Sequence, residues 1–223
     1  DVYKRQRGLG DVYKRQDNKG KQVSGFTFKK TKTPIINPPV HIRIDKKDYI
    51  AVQEESGKLN LLNRVGKSRV KTKESIPFSG TPVSSYLKTF TTSDNEGNLV
   101  QIDTKGNVIK TPLGLVTDHT IATTTKSLVT LSENILTIKG IPITLPYGRY
   151  TAPKIFYINN IIYVTTTDLD AQKVHLYFSN GTAVSGFPVY GTSAADLANA
   201  DADKAIELVV QSESNGMLIY EIN

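Results

Sequence analysis

The feature that most narrows the folds open to this chain is an internal repeat with a period of about 40 residues. Four segments share one template: a short alternating strand, a polar turn, a second strand, a glycine turn and a third strand. They are YIAVQEESGKLNLLNRVGKSRV (49–70), FTTSDNEGNLVQIDTKGNVIK (90–110), LVTLSENILTIKGIPITL (128–145) and IYVTTTDLDAQKVHLYFSNGTAVSGFPV (162–189). A fifth copy, LVVQSESNGMLIYEIN (208–223), runs to the end of the second strand. The first turn of each copy falls near Gly57, Gly97, Asn134, Ala171 and Gly216, which are 40, 37, 37 and 45 residues apart.

Within each copy the apolar residues alternate, the mark of a half-buried antiparallel strand rather than a helix. In GNLVQID, Leu99, Gln101 and Asp103 share one face while Val100 and Ile102 share the other; in KVHLYFS, Val174, Leu176 and Phe178 fall together. The glycine and Asn-Gly turns supply the positive φ that tight hairpins require. A further strand fits before each unit, at VHIRID (40–45), YLKT (86–89), HTIAT (119–123), KIFYIN (154–159) and SAADLA (193–198). Four antiparallel strands in about 40 residues is the size of a β-propeller blade. The expected fold is therefore all-β, a propeller of about five four-stranded blades at 38–75, 82–112, 116–148, 152–190 and 192–223 that form part of an incomplete ring. A β-sandwich is the rival, but its strands need not recur with a fixed period.

The stretch DNKGKQVSGFTF (17–28) matches FSNGTAVSGFPV (178–189) in Gly-x-x-Val-Ser-Gly-Phe after a polar turn. Residues 17–30 are accordingly expected to be the outer strand of a blade whose inner strands are absent. Residues 1–16 repeat Asp-Val-Tyr-Lys-Arg-Gln twice around Arg-Gly-Leu-Gly and offer too little apolar surface to pack. Back-translated as GAT GTG TAT AAG AGA CAG, the hexapeptide resembles the end of a transposase-library sequencing adaptor. The segment is read as adaptor-derived and set apart from the fold.

Without those 16 residues, which carry five Lys/Arg against two Asp/Glu, the net charge of +7 falls to +4. What remains is uneven. Residues 17–75 hold 14 Lys/Arg against 6 Asp/Glu, while 76–223 hold 9 against 13. Such a basic end can attract an anionic partner. The densest run, RVGKSRVKTK (64–73), instead alternates like an exposed edge strand whose lysines discourage sheet-to-sheet pairing. Aromatics do not interleave with it, which argues against a nucleic-acid platform.

The sequence carries little that points to catalysis. It has no cysteine, hence no disulfide framework and no thiolate ligand or nucleophile. No phosphate-binding glycine loop opens a helix, and no Gly-x-Ser-x-Gly elbow occurs. His41, His119 and His175 lie in separate strands and read as structural. The pairs Glu54/Glu55 and Asp168/Asp170 fall at hairpin turns, where carboxylates are expected to be solvated. No apolar stretch approaches the roughly 18 residues that would suggest a membrane-spanning helix.

Residues 180–210 carry a more specific pattern. NGTAVSGFPV followed by SAADLANADADKAIELVV resembles the repeats of FG-GAP and integrin-α-type propellers, where an acidic loop leads into an apolar strand. That resemblance implies a calcium loop with Asn199, Asp201, Asp203 and Glu207 as ligands, since alternate spacing turns successive oxygens toward one hard cation. Lys204 stands where the family has glycine, and Asn199 and Glu207 replace aspartates. No other cofactor is implied. Phrases such as ESGKLNLLNRVGK and NEGNLVQIDTKGN are also similar to quinoprotein-like bacterial envelope propellers, although the chain lacks the tryptophan and vicinal cysteines that would hold a quinone.

The resulting expectation is a binding or assembly scaffold, the C-terminal propeller portion of a larger bacterial envelope or secreted protein, that meets a protein or envelope partner. The alternative is a propeller hydrolase or lyase with its site at the channel mouth.

Overall fold

The computed structural model describes residues 19, 21, 25–116, 118–201, 203 and 205–222. The adaptor-like segment, Lys204 and most of 17–24 therefore lie outside the described residues. The chain divides into two compact units, 1–117 and 118–223.

The first unit contains two meandering sheets. β1 (Val40–Ile44), β2 (Lys47–Gln53), β3 (Leu59–Leu62) and β4 (Ser68–Lys71) pair in sequence order, as do β5 (Ser84–Tyr86), β6 (Thr89–Ser93), β7 (Asn98–Ile102) and β8 (Val108–Pro112). The second unit contains β9 (Thr120–Thr123), β10 (Leu128–Ser132), β11 (Ile135–Ile138) and β12 (Ile141–Thr144), then β13 (Lys154–Ile158), β14 (Ile161–Asp168), β15 (Lys173–Phe178) and β16 (Val189–Tyr190). It ends with the three-stranded sheet of β17 (Asp196–Ala198), β18 (Ile206–Gln211) and β19 (Met217–Ile222). All pairings between consecutive strands are antiparallel. One 3-10 turn, Glu213–Asn215, is the only helical element among the described residues. None of the described helices is long and apolar enough to cross a membrane, a statement that leaves β-barrels untouched.

Alternation gives each sheet an apolar face, and within each unit such faces pack against a neighbouring sheet. In the first unit Tyr49, Ala51, Leu61 and Val70 of the first sheet pack against Phe90, Val100 and Ile102 of the second. The Tyr49 and Phe90 rings meet edge to face at 4.8 Å, a geometry worth about 0.5–1.5 kcal/mol beyond burial. In the second unit Val129, Leu131, Leu136 and Ile138 pack against Val164 and Tyr177, while Val174 and Leu176 on the other face of that sheet meet Leu208 and Val210. Within each unit, adjoining sheets thus cover apolar surface for one another, as in other repeat architectures.

Two kinds of turn recur between the strands. The hairpins at Asp45-Lys46, Leu87-Lys88 and Asn159-Asn160 hold both central residues at positive φ, between 47° and 64°, the twist-matched two-residue turn. This corrects one sequence expectation: YLKT (86–89) is the turn itself, and the strand before it is Ser84–Tyr86. Leu87 occupies a left-handed position that its side chain disfavours, so propensity did not mark it.

Several other hairpins use glycine at positive φ. Asp103 accepts from the amides of Lys105 (2.8 Å) and Asn107 (2.9 Å), and Gly106 follows at φ +85°. A side chain on Gly106 would collide with the carbonyl of Lys71 on the preceding sheet, and one on Gly97 with the carbonyl of Leu115. The missing Cβ atoms therefore let a neighbouring backbone pass, in addition to permitting the turn. Gly80, at φ +95°, has nothing within 4 Å of the equivalent point.

That contrast yields a test. Gly80→Ala should cost about 1–2 kcal/mol for left-handed strain alone. Gly106→Ala should cost roughly 1–3 kcal/mol more, because the Lys71 backbone must move. Thermal melts of the two variants check this, and equal losses would contradict the close approach.

Candidate functional site

Two groups of carboxylates offer themselves, one on a surface loop and one buried. The surface loop joins β17 to β18. Here the carboxylate oxygens of Asp201, Asp203 and Glu207 lie within 4.8 Å of one another, Asp201 and Asp203 exposed and Glu207 half-buried. Glu207 belongs to β18, opposite Ala198, so the sheet fixes its position. The Asn199 amide donates to the carbonyls of Asp203 (2.9 Å) and Ala205 (3.1 Å), which leaves its oxygen as the atom able to act as a ligand. Each acid also accepts one backbone N–H: Asp201 from Asp203 (3.0 Å), Asp203 from Ala205 (2.8 Å) and Glu207 from Ala200 (2.6 Å). The loop is thus braced internally while second oxygens stay available to a hard cation.

The buried group was not anticipated. Glu54, Asp94 and Asp168 occupy the same place in three sheets, immediately after or at the end of the second strand, and are 1%, 0% and 2% exposed. Their sequence neighbours Glu55 and Asp170 are exposed, so the expectation of solvated pairs fails for the first acid of each. The cause is the incoming connector. Each acid forms an antiparallel bridge with a connector residue, Ile35, Phe78 and Tyr150 respectively, which carries the inner strand one step further. The residue before the acid accepts from the connector, in Ile36 N to Gln53 O (3.2 Å), Ser79 N to Ser93 O (3.1 Å) and Thr151 N to Thr167 O (2.9 Å). The residue after it donates back, in Glu55 N to Pro34 O, Asn95 N to Pro77 O and Leu169 N to Arg149 O, each 2.8 Å.

Each carboxylate accepts from at least two donors. Glu54 accepts from the amides of Lys32 (3.2 Å) and Thr33 (3.3 Å), the Thr33 hydroxyl and the Asn60 amide (2.6 Å). Asp94 accepts from the amides of Glu96 and Asn98, the Asn98 side chain, and Lys110 Nζ at 3.2 Å. Asp168 accepts from the amides of Asp170 and Ala171, both 2.9 Å. Burial by itself would raise the Glu54 carboxyl, but its hydrogen bonds outweigh that and hold it below the ordinary value. Asp94 follows the same balance, with Asn98 and Lys110 overcoming burial. These groups tie down loops; the signal in the sequence is the acid at one fixed register in VQEESGK, TTSDNEGN and TTTDLDA.

His175 lies on the same face of its sheet as Asp168, paired across the ladder with Thr166. It is 8% exposed, its Nε2 has no hydrogen-bond partner, and its ring stacks near Tyr177 and Tyr150. Burial lowers its basicity, with Asp168 opposing and Lys173 adding to the shift. Tyr150, which donates to Pro146 O at 2.7 Å, is pushed up to about 12 by burial and then by the Asp168 charge. His41, by contrast, stands on an exposed face and meets Asp48 at 3.1 Å.

A scan of protein-family models finds no match to the chain, and a search of curated proteins finds none. Solved structures do resemble it. The β-propeller protein BamB from Moraxella catarrhalis is similar at 14% identity and TM-score 0.50, over 86% of this chain and 62% of that one. The β-propeller protein NirN, a dihydro-heme d1 dehydrogenase in complex with DHE, is similar at 11% identity and TM-score 0.55, over 92% and 48%. BBS1N in complex with ARL6DN is similar at 16% identity and TM-score 0.56, over 87% and 68%. The chain spans less than two thirds of BamB and under half of NirN. Identities this low speak to fold alone, and the fold is the all-β, propeller-type arrangement of antiparallel sheets expected from the repeat. The finer FG-GAP affiliation of residues 180–210 finds no matching family model.

The buried groups set a pH dependence. His175, Glu54 and Asp94 have folded-state values below their ordinary ones, so the fold is at its most stable with respect to each above that ordinary value and loses stability as pH falls. His175 should begin to destabilise the fold as pH drops below 6.5, and Glu54 and Asp94 as it drops below 4.5 and 3.8. Urea unfolding between neutral and acid pH should show both stages. His175→Gln should flatten the first, and Asp94→Asn should cost about 1.5–3 kcal/mol at neutral pH while flattening part of the second.

Proposed function

We propose that the chain is the propeller portion of a larger bacterial envelope or secreted protein and works as a non-catalytic binding or assembly scaffold for a protein or envelope partner. The observation that carries this reading is the repeated tie between connector and hairpin. Three connectors are held by the same pair of backbone hydrogen bonds beside a buried acid, while residues near them project into solvent. Tyr147 is 89% exposed on the connector before β13, and Arg149 beside it pairs with Asp170 at 3.5 Å. Loops that are fixed in backbone but free in side chain suit recognition, because little order must be gained on binding. The buried carboxylates support the same reading, since each accepts backbone amides of a connector or hairpin. BBS1N, similar in fold, is described in complex with another protein, ARL6DN.

Within this reading the loop of Asn199, Asp201, Asp203 and Glu207 is a calcium brace on the surface of the second unit. Calcium at millimolar concentration should raise the melting temperature through preferential binding to the folded state, and Asp203→Asn should remove the shift. An unchanged melt would eliminate the ion.

The scaffold itself is tested by site-specific photo-crosslinking in the intact bacterial envelope. A crosslinker at Tyr147 should give one discrete protein adduct, and one at Tyr157, at the opposite end of the same sheet, should not. Equal, diffuse labelling from both positions, or turnover of ester or glycoside substrates by the purified chain, would overturn the proposal.

A further inference from the structure

A cleft in the first unit has the makings of a small-anion site. It is lined by Asp45, Lys47, Tyr49, Arg69 and Val70 of the first sheet and by Thr104 from the β7–β8 turn of the second. Its volume is about 140 Å³. That is the space of roughly four to five liquid waters and well under the ~300 Å³ at which pockets for organic ligands begin. Its size suits one tetrahedral oxyanion.

Arg69 is aimed into this cleft by a backbone irregularity. β3 pairs Leu62 with Ser68 and Leu61 with Val70, so Arg69 is the extra residue of a β-bulge. Bulges re-aim a side chain that regular alternation would send to the other face. The guanidinium accordingly lies over the Tyr49 ring, 5.4 Å from its centroid. Tyr49 is itself 2% exposed and wedged against Phe90, so the wall behind Arg69 is rigid. A guanidinium stacked in this way keeps its N–H fork free for a ligand and has already lost part of its conformational freedom.

The charges around it are arranged in the same sense. Neither Lys47 nor Arg69 forms an ion pair among the described residues, whereas Asp45, the one carboxylate of the cleft, is engaged by Lys88 at 3.2 Å. Two unopposed cations and the Thr104 hydroxyl therefore face one small space. The surrounding stretch, 17–75, has 14 Lys/Arg against 6 Asp/Glu and raises the local concentration of anions.

We propose that Lys47, Arg69 and Thr104 form a binding site for a single phosphate group, free or carried as a phosphomonoester. Arg69 supplies charge-assisted, directional hydrogen bonds, Lys47 a mobile second charge and Thr104 a neutral donor. This site is separate from the connector loops of the proposed scaffold surface, and it stands or falls without them.

The test is an NMR titration of the full isotopically labelled chain with inorganic phosphate and, separately, glycerol phosphate, at ionic strength held constant with chloride. Saturable shifts should be confined to residues 45–49, 69–70 and the turn at Thr104. Arg69→Ala should weaken binding about tenfold, the loss of one charge-assisted hydrogen-bonding group, and Lys126→Ala in the second unit should leave it unchanged. If Arg69→Ala does not fold, Lys47→Met and Thr104→Val must each weaken binding instead. Equal affinity for both compounds assigns the site to phosphomonoesters, and saturation by inorganic phosphate alone assigns it to the free ion; both sustain the cleft. Shifts spread evenly over the lysine-rich turns, unchanged affinity in Arg69→Ala, or retention only on heparin with a steep salt dependence would overturn it.

Discussion

The structure of each unit depends on how the chain leaves one sheet and enters the next. A connector crossing the end of a meandering sheet must satisfy its own backbone groups and those of the hairpin beneath it, or bury them unpaired at a cost of about 1–3 kcal/mol each. Here the two needs meet. The connectors at Ile35, Phe78 and Tyr150 run one bridge beyond the regular strand, and a carboxylate at the end of the second strand gathers the donors that remain. Ionised acceptors make stronger hydrogen bonds than neutral ones, so an acid rather than an amide fits this place. A neutral residue serves where fewer donors converge: in the last sheet Ser212 holds the equivalent position, and Thr192 N still donates to Gln211 O at 2.9 Å.

Once the connectors are tied, adjoining sheets are held face to face and close packing follows. Backbone then approaches backbone at the hairpin glycines, where Gly57, Gly97 and Gly106 each border a connector or a strand of the adjoining sheet. The threonines before the acids take part as well. Thr92 donates to Thr81 O at 2.8 Å and Thr166 to Thr151 O at 2.7 Å, so the second strands bind the connectors with side chains as well as backbone. The loops are consequently fixed while their tips remain solvent-facing, and this is the property on which a recognition role rests.

Much of this fold was legible in the residues. The 40-residue recurrence, the alternation in strands such as Asn98–Ile102 and the glycine turns all act locally, and local physics writes itself into sequence. The burial of Glu54, Asp94 and Asp168 was hidden because it depends on a connector that arrives from about 20 residues upstream. Leu87 at positive φ was hidden because the two-residue hairpin overrode the side chain's preference. The aim of Arg69 was hidden for a third reason: a bulge shifts alternation by one, and RVGKSRVKTK reads as a regular edge strand unless the pairing of Leu61 and Leu62 is known. In the acidic loop the carboxylate oxygens of Asp201, Asp203 and Glu207 lie within 4.8 Å of one another.

The connector tie can be observed amide by amide. Native-state hydrogen exchange of the full chain, followed by NMR, reads the amides of Ile36, Glu55, Ser79, Asn95, Thr151 and Leu169, which all lie outside the named strands. They should exchange as slowly as mid-strand amides such as Val100 and Leu176, because opening them requires the sheet and connector to separate. Exchange at the rate of exposed turn amides would show that the connectors are loose, and would contradict the account.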